Sequence, residues 1–65
     1  MNYKPVKAVM LRNNDKFIDV DGLITVTDVK MNLVEDIVTF IATREDGSVS
    51  KRWSAMNRFV IKVTS

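Results

Sequence analysis

Apolar and polar residues alternate along most of this chain with the period of strands rather than helices. Val6, Ala8 and Met10 share one phase, and Lys7, Val9 and Leu11 the other, so residues 6–11 read as a strand. The polar group Arg12-Asn13-Asn14-Asp15 reads as a turn, and residues 16–20 as a short strand. Asp21-Gly22 is a turn signal ahead of a longer strand over 23–31. Residues 32–36 form a loop with exposed acids, and 37–44 is the strongest strand. Glu45-Asp46-Gly47 makes a tight hairpin loop in which Gly47 suits positive φ, and 48–53 returns antiparallel. Ser54 is placed to cap a single helical turn over 54–57, before a last strand over 58–63. Val, Ile and Thr are dense throughout; they lose rotamer freedom in helices and pack well in sheets. The single proline, Pro5, sits at the N-terminal edge, where a missing N–H does little harm.

Five or six short antiparallel strands with turn signals at close intervals predict an all-β fold, a small barrel or sandwich. With 65 residues the chain is one domain, 1–11 being an N-terminal strand or arm and 16–64 the barrel. Two features carry a family resemblance. One is the hairpin Arg44-Glu45-Asp46-Gly47 between good strands; the other is the short turn Ala55-Met56-Asn57 leading into Arg58-Phe59-Val60. In this order of elements the segment from Phe17 to Val63 is similar to an SH3-like barrel, which implies a single 3₁₀ turn before the final strand. The peptide-binding residues of signalling SH3 domains do not carry over. Tyr3, the only tyrosine, lies outside the barrel segment, and Trp53 ends a strand instead of starting one. In its brevity and lack of cysteine the chain also resembles the short proteins that bacteriophage genomes encode.

Composition narrows the chemistry. An apolar fraction of 46% and a charged fraction of 28% suit an ordered globular body. At this size hydrophobic burial barely exceeds conformational entropy, so stability is marginal or supplemented by a partner. Absence of cysteine rules out disulfides, and absence of histidine removes the usual zinc sites and the usual proton shuttle at neutral pH. The longest apolar run is Ala8-Val9-Met10-Leu11, too short to span a membrane, and no apolar stretch follows a basic start. The expectation is a cytoplasmic protein with no membrane contact and no cofactor.

No catalytic set is expected. Ser48, Ser50, Ser54 and Ser65 have no histidine to activate them. Asp19 and Asp21 would share a strand face, but they lead into a turn and read as solvated. A calcium loop over Asp19, Asp21 and Asp28 would need an oxygen ligand at Phe17, so no metal site is expected. With only Gly22 and Gly47, no glycine-rich phosphate loop can form.

Charge is unevenly placed within a formal net of +2. Residues 1–30 carry a net of +1 and 31–46 a net of −3, while 47–65 carry four bases, no acid and hence +4. Lys51, Arg52 and Arg58 surround Trp53 and Phe59, a mixture that suits single-stranded nucleic acid, where cations meet phosphates and bases stack on rings. Lys62 would be an outer contact to a phosphate or carboxylate. An acidic protein surface is the competing partner, and a solvated charged face the plainest reading. Trp53 weighs against stacking if it is buried, and a lone tryptophan in a domain this small favours the core. Phe59 also reads as core, because Ile61 and Val63 repeat its phase.

The alternative is a protein-interaction module, such as a phage-encoded inhibitor or modulator of a host protein, or a homodimer. Strands 23–31 and 37–42 are apolar in both phases, so Val29, Met31, Ile37 and Ile41 form a second apolar face. Residues 1–11 would cover it from within the chain, or a second copy from outside.

Overall fold

The computed structural model describes residues 2–20 and 22–64. Met1, Asp21 and Ser65 lie outside the described residues, and with them one half of the expected Asp21-Gly22 turn, one of the paired carboxylates and one of the serines. The described chain is all-β, with six antiparallel strands: β1 (Tyr3–Lys7), β2 (Lys16–Asp19), β3 (Gly22–Asn32), β4 (Ile37–Arg44), β5 (Val49–Ala55) and β6 (Phe59–Val63). They form one sheet in the order β1-β6-β2-β3-β4-β5. The sheet is open: β1 and β5 are its edges, and no ladder joins them.

Alternation decides which face each strand buries. In β4, Val38, Phe40 and Ala42 point inward while Ile37, Thr39, Ile41 and Thr43 take the other face. Phe17 from β2, Ile24 and Val26 from β3, and Ala8 and Leu11 from the N-terminal segment complete the core. Phe17 and Phe40 meet edge to face with ring centroids 6.0 Å apart, although β3 lies between their strands.

Three local features depart from the alternation. The strand expected over 6–11 stops at Lys7, and Ala8–Met10 is a 3₁₀ helix. Its cause is the spacing of Ala8 and Leu11, three apart and both buried, which a 3₁₀ turn puts on one side and a strand on opposite sides. The Leu11 N–H closes this turn on the Ala8 carbonyl at 3.0 Å. The helical turn expected over 54–57 is absent: β5 runs on through Ser54, which is buried and donates its hydroxyl to the Ala55 carbonyl instead of capping a helix. What remains is one turn closed by the Arg58 N–H on the Ala55 carbonyl at 3.1 Å.

The third departure resolves the two-phase pattern of 23–31. A bulge between Thr27 and Lys30 shifts the β3–β4 register. Asp28 takes φ +53° there, a conformation aspartate tolerates better than most residues. The side chain of Asn13 accepts the Val29 N–H at 3.0 Å and so ties the bulge to the first turn. After the bulge Val29 packs against the core, in the opposite sequence phase from Ile24 and Val26.

The N-terminal segment closes the gap between β5 and β6. Ala8 and Val9 donate their N–H groups to the carbonyls of Arg58 (2.7 Å) and Met56 (3.1 Å). Ala8 and Leu11 thereby join the inner core, so residues 1–11 do not cover the second apolar face as expected: Ile37 and Ile41 keep the outer face of β4, and Met31 stays exposed. Among the described residues no helix is long and apolar enough to cross a membrane.

Candidate functional site

The open side of the sheet leaves a cleft of about 130 Å³ between β5 and the β6–β2 pair. Arg52 and Trp53 line it from β5, Phe59 and Ile61 from β6, Ile18 and Asp19 from β2, and Arg58 from the turn before β6.

The β4–β5 ladder sets the orientation of Trp53. Arg52 stands opposite Phe40 in the inward phase, so Trp53, opposite Thr39, points outward. Its side chain is 67% exposed, which overturns the core placement that its residue type favours. Phe59, at 61% exposed, is likewise not core. Pairing with β1 and β2 fixes the phase of β6: Val60 stands opposite Val6 and packs on the core, leaving Phe59 and Ile61 outward. Alternation makes the phase of Phe59, Ile61 and Val63 the more apolar one in β6, and the ladder nonetheless turns Phe59 and Ile61 away from the core.

Of the five residues expected at the contact, Arg52, Trp53 and Arg58 converge on the cleft. Lys51 lies on the outer face of β5 in the same phase as Trp53 and is exposed. Lys62 does not join them: it sits opposite Phe17, half-buried, with its ammonium 3.3 Å from the Asp15 carboxylate. The second apolar face is also divided. Ile37 and Ile41 share the outer face of β4, Val29 packs against the core, and Met31 stands exposed opposite Val38 at the far end of β3.

The cleft is held by a charge pair. The Arg52 guanidinium donates to Asp19 at 2.6 Å, so Asp19 is not solvated as its place before a turn suggested. Burial pushes the Asp19 carboxyl up, but the hydrogen bond from Arg52, the Val20 N–H and the charges of Arg52 and Arg58 outweigh it. The carboxyl is held below its ordinary range and stays ionised at neutral pH. Lys51 and Arg58 make no ion pair among the described residues, and their charges face solvent.

Chemically the site offers two exposed rings, aliphatic walls and exposed cations. No three carboxylates converge among the described residues. Sequence reasoning missed Ile18 and Ile61, which stand side by side across the β2–β6 ladder, and Lys7, which stands opposite Phe59 across the β1–β6 ladder. The outward phase of Ile18 was legible in its strand. Its neighbours were not, because strands far apart in sequence supply them. Compared with known protein families, curated proteins and solved structures, the chain matches none.

Proposed function

We propose that this chain is a non-enzymatic binding module that takes single-stranded nucleic acid across the cleft between β5 and β6. One observation carries the reading: Trp53 and Phe59, both more than half exposed, line the same cleft as Arg52 and Arg58. Exposed rings give bases a stacking platform that is indifferent to sequence, and each stacked base contributes roughly 1–3 kcal/mol. Arg58, Lys51 and Lys7 would meet phosphates. Arg52 serves by holding the wall, since its charge is already matched by Asp19. The strand order β6-β2-β3-β4-β5 supports the SH3-like reading of the scaffold, while the 3₁₀ turn that this reading implies before β6 is absent among the described residues.

A second reading is a protein-interaction module that blocks or modulates a host protein by binding an acidic, partly apolar surface on it. Ile18 and Ile61 favour it, because they add an aliphatic wall that nucleic acid does not need.

Titration of the single tryptophan with short oligonucleotides separates the two. Trp53 fluorescence should be quenched saturably by single strands at low salt, with affinity falling steeply between roughly 50 and 200 mM salt as counterions are released. No saturable change at low salt would overturn the nucleic-acid reading and leave the protein partner.

A further inference from the structure

The turn between β3 and β4 ends in an apolar knob. Turn tips ordinarily carry Gly, Asn, Asp or Ser. Here Leu33 and Val34 occupy the tip, 77% and 95% exposed. The tip is held in place: the Glu35 N–H donates to the Asn32 side chain at 3.1 Å, and the Asn32 amide donates to the Glu35 carboxylate at 3.2 Å. Its base is anchored where the Met56 N–H donates to the Asp36 carbonyl at 3.0 Å. Nothing within the fold needs these two side chains outside, and placing them in water on a fixed turn forgoes their burial. Glu35 and Asp36 beside them make the knob acidic as well as apolar.

The complement of that knob lies elsewhere on the same chain. The β5–β6 cleft is walled by Trp53, Phe59 and Ile61, carries Arg58, and has Lys51 beside it on β5. Its volume of about 130 Å³ is near that of a cavity that admits benzene, about 150 Å³, and so admits one branched side chain. The chain's own tip does not line this cleft and stays exposed.

We propose that the tip of one copy docks into the cleft of a second copy, Leu33 or Val34 entering between the rings while Glu35 and Asp36 face Arg58 and Lys51. The contact joins unlike surfaces, so it closes as a reciprocal dimer or ring, or runs on as a chain. It is small, so association is weak and concentration-dependent. The inference shares the cleft with the nucleic-acid reading but does not depend on it.

Sedimentation across a wide concentration range at low salt tests it with two variants, L33S/V34S at the tip and R58E at the cleft. All three side chains are exposed, so both variants should fold. The wild type should self-associate, and each variant alone should associate at least about tenfold more weakly, a loss of about 1.4 kcal/mol. An equimolar mixture should recover one contact per pair, intact tip into intact cleft. A wild type that stays monomeric throughout, a variant that associates like the wild type, or a mixture that recovers nothing would each overturn the proposal. Oligonucleotide binding by L33S/V34S, measured at protein concentrations where the wild type is monomeric and its cleft free, distinguishes the two readings: it should equal the wild type whether or not self-association is found at higher concentration.

Discussion

Arg52 on β5 and Asp19 on β2 meet at 2.6 Å, although β3 and β4 separate their strands in the sheet. This pair joins one edge of the sheet to its middle where no ladder does. Their side chains are 33% and 17% exposed, between the surface pairs that contribute almost nothing and the buried pairs whose rupture costs several kcal/mol. Arg52→Ala should therefore destabilise by about 1–3 kcal/mol in urea unfolding. In a double-mutant cycle with Asp19→Asn, a coupling indistinguishable from zero would mean that the pair does not hold the cleft.

The same pair predicts an acid limb. Asp19 has its carboxyl held below the ordinary range in the folded chain, so its contribution is fully present above the unfolded carboxylate pKa of about 4. That contribution is lost as pH falls through the lower folded value. Stability measured from pH 7 downward should stay level in this respect to about pH 5 and then decline. Asp19→Asn should flatten part of that decline; an unchanged slope would place the acid sensitivity in other carboxylates.

Leu11 and Trp53 should exchange the importance that their residue types suggest. Leu11 is fully buried against the sheet, so Leu11→Ala should cost about 2–5 kcal/mol. Trp53→Ala removes a largely exposed ring and should change stability by less than about 1 kcal/mol. Thermal melts of the two variants decide the matter, and Trp53→Ala should lose oligonucleotide affinity with its melt nearly unchanged.

Asn13 is the strut of the β3 bulge. Asn13→Ala leaves the Val29 N–H without its partner and should cost about 1 kcal/mol. Hydrogen exchange at Val29 should accelerate more than at Val26, whose N–H keeps the Asp15 carbonyl at 2.9 Å. Equal acceleration at both would mean that the whole turn loosens as one unit.

Charge reversal at Lys51 and Arg58 is the cleanest test of the nucleic-acid reading. Neither residue forms an ion pair among the described residues, whereas reversal at Arg52 would also break the bridge to Asp19. Lys51→Glu with Arg58→Glu should abolish oligonucleotide binding at low salt while circular dichroism stays unchanged. Single reversals should each lower the salt-dependence slope by about 0.7. Retained affinity in the double variant would reject the assignment.

The strands were legible in the chain because burial on one face imposes period two, as Val38, Phe40 and Ala42 show within β4. The hairpin at Gly47, with φ +88°, was legible for a similarly local reason: few other residues take that conformation without strain. The clustering of Lys51, Arg52, Trp53 and Arg58 near one another followed from their closeness in sequence. Which face each takes did not. Trp53 and Phe59 are exposed because their strands pair as they do, with Arg52 opposite Phe40 and Val60 opposite Val6. A one-residue change of register would reverse both, and in β5 and β6 the more apolar phase is the one turned outward, so pairing with neighbouring strands and not hydrophobicity sets the register. The match of Arg52 with Asp19, the bond from Val29 to Asn13 and the neighbours Ile18 and Ile61 join residues that only the folded sheet brings together. Local pattern thus reports how a residue is flanked, while partner identity across a sheet depends on contacts between distant segments, which no window of the sequence contains.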